Sequence, residues 1–423
     1  MSENQPYEAR PIYLAWALLS CSVLLGACGD GDETVHSVPI EGCESLDVTP
    51  CDTRERACQS SRLQIAACLR ETTAASLPLV NVMTEQSYAD NWNAMNAESV
   101  RFVGTNHFEV AMTWIGLAQP GAFGYVPVTA ETVQDWFGTY RWRHKDLVVI
   151  DHGKPADDAA SNVELVAALI RALRDRDVEI GPWSTRVAVF DLDSNWGADA
   201  MYFGEARFYA NRYRDALKGR ALSAADEFSQ INANVEQDVA WMVAQPSPYL
   251  ATLGRFSDNF GSRAMSLAWQ RGGVPAINEL WESKLLTHQL MASETEEGKA
   301  PPLKYHARPR APEGWDQDPI VTALGAWGLF LTLTRHLPTE TAWSIALGWR
   351  GDQLFVFDRV DTEDTSTGLV WQIETADENA AALLEEELRA VDPSVRVGRT
   401  GTFVTLARAD LDGSLDWAFV TDE

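Results

Sequence analysis

The chain has 423 residues, beyond the roughly 100 to 200 of one typical domain. Of these, 46% are hydrophobic, with 16 Trp, 15 Phe and 10 Tyr, which supplies a sizeable core and excludes a wholly disordered chain. Lys plus Arg number 34 against 61 Asp plus Glu, a formal charge of -27, so the sign is wrong for neutralising phosphates and nucleic acid is excluded as an expected partner.

In chain order, the first feature is an apolar run of 16 residues from Ile12 to Ala27 that ends in Leu25-Gly26-Ala27-Cys28. It falls short of the ~20 residues a membrane-spanning helix needs. Small residues ahead of a cysteine form a lipobox, so residues 1–27 are expected to be a lipoprotein signal peptide and Cys28 the lipidated residue. Glu3 and Glu8 run against this, since the segment before the apolar run should be positive; the competing reading is a short hydrophobic anchor or buried helix. The expectation is an exported, lipid-anchored envelope protein, with the membrane as one partner.

Residues 28–42 are acidic and aperiodic and read as a tether. Residues 43–76 form a small cap: Cys43, Cys51, Cys58 and Cys68 remain once Cys21 and Cys28 are set aside, an even number that suits two disulfides in an oxidising compartment. Without a Cys-x-x-Cys pair, zinc is disfavoured, and the three connectivities stay open. A helix is expected over 54–70.

The body runs over 77–338. Apolar periodicity predicts helices near 85–96, 131–140, 162–176, 198–217, 224–244, 255–271 and 318–336, with short strands at 147–150 and 187–190. Residues 294–315 read as a surface loop. The last part, 339–423, changes character: strands at 354–357, 369–373 and 402–407, and a capping box, Thr375-x-x-Glu378, opening a helix to residue 390. The expected fold class is α+β, a mainly helical body with a C-terminal antiparallel sheet plus helix.

Several chemistries lack local support. The closest histidines, His144 and His152, lie eight positions apart, so no His-x-x-x-His pair places two imidazoles on one helix face. No Gly-x-Ser-x-Gly elbow or Walker loop occurs. Val187-Ala-Val-Phe-Asp191-Leu-Asp193 resembles the first motif of haloacid-dehalogenase-type phosphatases, with Asp191 as nucleophile and Asp193 as acid/base. The matching Lys and distal acids are not found, and the preferred reading is that these aspartates end a strand and cap the following helix.

Another resemblance is spread over more of the chain. The segment Val163-Glu-Leu-Val-Ala167-Ala168-Leu-Ile-Arg171-Ala-Leu-Arg-Asp175 resembles the active-site helix of a gluzincin-like (His-Glu-x-x-His) zinc metallopeptidase family. Phe203-Gly204-Glu205-Ala206 falls where that family has its Glu-Gly-[Asp/Glu]-Ala helix. Phe260-Gly-x-Arg263, Gly272-Gly273, Ser283, His288 and Gly348-Trp-x-Gly-Asp352 follow in the family's order, so the likeness covers roughly residues 85–373. It implies a metallopeptidase-like body whose metal site is degenerate: Ala167, Ala168 and Arg171 stand where His, Glu and His are expected, and Phe203 where the last ligand Glu is expected. A methyl group has no lone pair and a guanidinium repels Zn²⁺, so no metal, cofactor or catalytic residue is expected. The implied product is a pseudopeptidase that binds or scaffolds an unidentified protein or peptide.

Asp199, Glu205 and His288 are candidate retained cleft residues, each with an ordinary structural alternative, and Asp199 is the expected partner of Arg171. Arg171 has a second expected role, gripping a carboxylate or phosphate ligand, with an internal salt bridge preferred. The alternatives to the pseudopeptidase are the phosphatase using Asp191 and Asp193 and an active peptidase using His144, His152 and Glu205.

Overall fold

The computed structural model describes residues 37–409 except 75, 104–105, 124–126, 188–190, 254, 293–308, 310–313, 317–319, 360–365 and 392–394. The signal peptide, Cys28 and most of the tether lie outside the described residues.

Helix α1 (Arg56–Leu69) carries the cap. Its two disulfides are Cys43–Cys68 and Cys51–Cys58, so the expected pairing of these four cysteines is present and the connectivity is settled. The cap docks on the body through Arg62, which donates from Nε to Asn162 Oδ1 at 2.8 Å, and through Tyr213, whose hydroxyl donates to Val48 O at 3.1 Å.

The body begins with β1 (Leu79–Thr84), α2 (Glu85–Val103), α3 (Asn106–Trp114), β2 (Gly138–Arg141) and β3 (Asp146–Asp151). The three strands form a sheet of order β1-β3-β2, with β1 parallel and β2 antiparallel to β3. The continuous apolar run Leu147–Ile150 is covered on both faces, as such a run requires: Leu147 and Val149 join the core beneath the cap, while Val148 and Ile150 join a smaller core with Tyr88 and Val133. The expected helix over 131–140 is absent. Those residues are turns leading into β2, because Gly138, at φ 141, packs its Cα against Val148 O.

Four long helices then build the centre: α4 (Ala159–Val178), α6 (Leu192–Leu217), α7 (Ala224–Val243) and α9 (Arg255–Glu282), with the short α5 (Ile180–Val187) and α8 (Pro248–Thr252) between them. Their starts are written locally. Asp158, Asp191 and Ser223 sit in extended conformation and accept from the backbone N–H three residues on, capping α4, α6 and α7. The expected strand over 187–190 fails at its first residue, since Val187 ends α5; residues 188–190 lie outside the described residues. Helix α9 breaks where the sequence expected it to stop. Gly273 holds φ 63 and ψ -148, open to glycine but strained for other residues, and Pro275 suits the first turn of the restarted helix.

Helices α6 and α9 meet backbone to backbone. A Cβ on Gly261 would sit 2.0 Å from Ala200 O and one on Gly204 2.3 Å from Gly261 Cα, so neither contact is relieved by turning a side chain. Gly261→Ala is therefore expected to destabilise by roughly 3 kcal/mol or more. Gly398→Ala, which meets nothing within 4 Å, should lie within about 0.5 kcal/mol of the parent; denaturant midpoints of the two variants check this.

The chain closes with α10 (Thr287–Met291), β4 (Ile320–Thr322), α11 (Gly325–Leu333), α12 (Thr339–Leu347), β5 (Trp349–Asp358), β6 (Thr367–Thr375), α13 (Glu378–Val391), β7 (Arg396–Thr400) and β8 (Phe403–Ala409). Strands β4-β5-β6-β8-β7 form an antiparallel sheet, and α13 lays Ala381, Leu384 and Leu388 on it. The class is α+β, with the expected C-terminal sheet and helix. The helix cap differs from the expected box: Asp377 Oδ1, not Thr375, accepts from Asn379 and Ala380 N–H. The expected helix over 318–336 gives way to β4 and the shorter α11. One hydrophobic core runs from Ala111 on α3 through Trp327 on α11 to Leu406 on β8, so it takes residues from both sides of position 338.

Candidate functional site

Helices α4 and α6 run antiparallel in contact, since Glu164 meets Arg207 and, two turns further along α4, Arg171 meets Phe203. Ala167 and Ala168 are buried in the same stretch of α4. The Arg171 guanidinium carbon lies 5.3 Å from the centre of the Phe203 ring, a cation–π distance. The residue is 8% exposed, and its Nε is buried with no hydrogen-bond acceptor. Among the described residues Arg171 makes no ion pair, and the expected bridge to Asp199 is absent. Asp199 is pushed well above its ordinary value by burial alone, so no cation lies near enough to draw it down. The face that Arg171 offers is taken by the Phe203 ring, and the acids that feel its charge are Glu164 and Asp258.

Those two acids are held by Arg207, one helical turn beyond Phe203. Its guanidinium reaches Glu164 Oε1 at 2.7 Å on α4 and Asp258 Oδ2 at 3.2 Å on α9. The three side chains each keep about a fifth of their surface open, 23%, 23% and 21%, so they are partly open to solvent rather than sealed in the core. Burial alone would raise Glu164, but Arg207 and Arg171 hold it below its ordinary value. Burial keeps Asp258 above its own despite Arg207. The contact of α4, α6 and α9 thus holds an ion network at one end and, on Phe203, a guanidinium whose Nε finds no acceptor among the described residues. Sequence reasoning missed Glu164, Arg207 and Asp258; the four-residue step from Phe203 to Arg207 was the available signal.

Glu205 does different work. It is 1% exposed and accepts from Arg70 Nε at 3.0 Å and from Arg174 Nε and Nη2 at 2.7 and 2.6 Å. Burial would push this carboxyl up, but the two guanidinia hold it low. It locks the end of α1, α4 and α6 together and is not available to a ligand. His288 lies elsewhere, its ring 5.4 Å from Trp349 and its Nδ1 buried without a partner; burial, then Arg350, lowers it to about 4, so it is neutral at pH 7. Ser283 is exposed and donates to Leu280 O at 2.8 Å.

The other named groups do not converge. His152 places Nδ1 2.7 Å from Glu85 and Nε2 2.7 Å from Trp136 O, while His144 is exposed in the turn between β2 and β3. Among the described residues no three His, Cys, Asp or Glu side chains gather as a metal-holding group. Asp191 caps α6 through Ser194. Asp193 is 2% exposed and its Oδ1 accepts from Thr287 N and Oγ1 at 2.8 and 2.5 Å. Burial is the main cause that raises it to about 7, with Asp352 and Asp191 adding to it. Asp352 in turn accepts from Leu324 and Gly325 N–H and from the Trp349 and Trp371 indoles, so both aspartates serve the junction of α6, α10, α11 and the large sheet.

No helix among the described residues is long and apolar enough to cross a membrane. Comparison of the chain with protein-family models, with curated proteins and with solved structures finds no match in any of the three.

Proposed function

We propose that this is a lipid-anchored envelope protein with a degenerate metallopeptidase-like body, which binds a carboxylate-bearing peptide or protein ligand instead of hydrolysing one. The observation that carries the reading is Arg171: a guanidinium 8% exposed, stacked on Phe203 and with its Nε lacking an acceptor, at the contact of the two helices that the family resemblance would have hold the metal. Leaving such a donor unmatched is costly, and an incoming carboxylate would match it bidentately. Ala167, Ala168 and Phe203 offer no lone pair to a metal, and Glu205 is committed to two arginines. Cys28 would anchor the chain through residues 28–42. The phosphatase alternative is disfavoured because Asp191 Oδ1 caps α6 and Asp193 Oδ1 is held by Thr287, although Asp191 Oδ2 faces Lys284 at 3.9 Å.

The test is binding of a peptide mixture with free C-termini against the same mixture amidated, followed by fluorescence anisotropy. Peptides with free carboxylates should bind, the amides at least tenfold more weakly, and Arg171→Met should remove the difference, since a charged hydrogen bond is worth about 1.5 to 3 kcal/mol. Equal binding of both mixtures, or none by either, contradicts the carboxylate reading.

A further inference from the structure

The cap holds a second chemical feature, and it does not depend on the reading of Arg171. Arg62 on α1 is 1% exposed and has no acidic side chain in ion-pair distance among the described residues. Its Nε donates to Asn162 Oδ1 at 2.8 Å, Nη1 to Asp47 O at 3.0 Å and Nη2 to Thr49 O. All three acceptors are neutral. The remaining contact of Nη2 is Cys51 Sγ, at 3.1 Å. A buried guanidinium without a counter-ion is costly, and burial lowers its hold on its proton. Tyr213 lays its ring 5.4 Å from the guanidinium carbon, but its hydroxyl donates to Val48 O and burial keeps it neutral; the Cys51 sulfur becomes an anion in contact with Nη2 if the disulfide to Cys58 opens.

Other features agree. Cys51 is half-buried while Cys58 is buried, so an incoming thiol meets Cys51 first. Cys58 lies in the first turn of α1, where free N–H groups favour a thiolate. Cys51 docks on the first turn of α4: its N–H donates to Asn162 Oδ1 and its carbonyl accepts from Asn162 Nδ2 at 2.9 Å. The charged groups around the pair are Arg62 on α1, Asp47 and Asp52 in the lead-in, Tyr213 on α6 and Asp158 at the start of α4. Asp52 is neutralised by Arg54, Asp47 turns to Thr49 N and Asp158 to Ser161. Arg62 is the one that touches sulfur.

We propose that Cys51–Cys58 is a redox-active disulfide that exchanges with dithiols through Cys51, while Cys43–Cys68 is a structural brace. A substrate thiolate attacks Cys51 Sγ; the bond to Cys58 breaks, and its electron pair leaves on Cys58, which takes up one proton. The substrate's second thiolate then attacks the substrate sulfur of the mixed disulfide. The bond to Cys51 breaks, and its electron pair stays on Cys51 as a thiolate beside Arg62. The dithiol has lost two electrons and two protons, one proton going to Cys58 and one to solvent, and the cysteine pair has gained the two electrons. The reverse sequence reduces a substrate disulfide with Cys51 as nucleophile and Cys58 as resolving thiol.

The experiment equilibrates the full chain in glutathione buffers of graded GSH²/GSSG, traps thiols by alkylation and quantifies each cysteine by peptide mass spectrometry. Cys51 and Cys58 should open at a ratio at least tenfold less reducing than Cys43 and Cys68 require. Opening of both disulfides together, or of Cys43–Cys68 first, overturns the proposal, and no variant has to fold for that result. In Cys58→Ser the rate of Cys51 alkylation against pH should show a thiolate forming below the ordinary value of about 8.5. Arg62→Met should return it toward that value and Arg62→Lys should retain part of the shift. A Cys51 thiol that titrates at or above the ordinary value in Cys58→Ser also overturns it.

Discussion

Glu205→Gln is expected to lower the stability of the chain by about 3 to 5 kcal/mol, the cost of removing one partner from a buried ion pair. The side chains of Arg70 and Arg174 are only 3% and 5% exposed, so losing the carboxylate weakens the pairing of one buried cation and leaves the other without an acidic partner among the described residues. Arg70 retains Asp177 at 3.0 Å, whereas Arg174 is left with Asn278 and the Trp281 ring. The effect should appear as a lower denaturant midpoint at unchanged m-value. A contrast comes from Glu385→Gln in the pair with Arg389, whose side chain is 60% exposed; there the change should stay below about 1 kcal/mol. If Glu205→Gln costs as little as Glu385→Gln, the cap is not held by this triad.

Asp193→Asn should have the opposite sign, and its size should depend on pH. The folded-state value of Asp193, about 7 against an ordinary 3.8, means that the native chain keeps this proton where the unfolded chain has released it. Its contribution to stability is intact below about pH 4, falls as pH rises toward 7, and is flat above. Asparagine keeps the Oδ1 acceptor that Thr287 uses and never ionises. The variant should gain on the order of 4 kcal/mol over the parent at pH 8 but only roughly 1 to 2 kcal/mol at pH 5. Because both proteins share every other titrating group, the difference between their unfolding curves reports Asp193 together with its electrostatic coupling to Asp352 and Asp191. A gain that does not change between pH 5 and pH 8 would show that Asp193 is ionised in the folded chain throughout.

The sequence made the long helices legible through their apolar repeats, with Asp191 read as a cap before α6, and it made β3 legible because Leu147–Ile150 is apolar without a break. It misled at 131–140, where an amphipathic spacing was overridden by Gly138 pressing against β3. It also misled at 318–336, where Gly325, at φ 71, separates a short edge strand from a buried helix. Strand β1 escaped notice because it lies at a sheet edge with Leu79 and Val82 exposed, so its pattern does not alternate. At the contact of α4 and α6, the meeting of Arg171 with Phe203 followed from the proposed helix pairing, but the choice of acids did not. Asp199 shares a face with Phe203 in sequence, whereas Asp258 arrives from α9, brought close by the Gly204 and Gly261 contact that local spacing does not reveal. For the same reason the contact of Arg62 with Cys51 was not legible, and neither was the lack of a carboxylate at Arg62 among the described residues.

The proposal that most needs a direct answer is that the contact of α4 and α6 holds no catalytic metal. Purified full-length protein, incubated with excess Zn²⁺, dialysed and then measured for zinc by elemental analysis alongside a peptide-hydrolysis assay, gives that answer. The account predicts zinc far below one ion per chain and no hydrolysis above the rate without protein. One retained zinc per chain together with peptide hydrolysis, both lost in Arg171→Met, would contradict it.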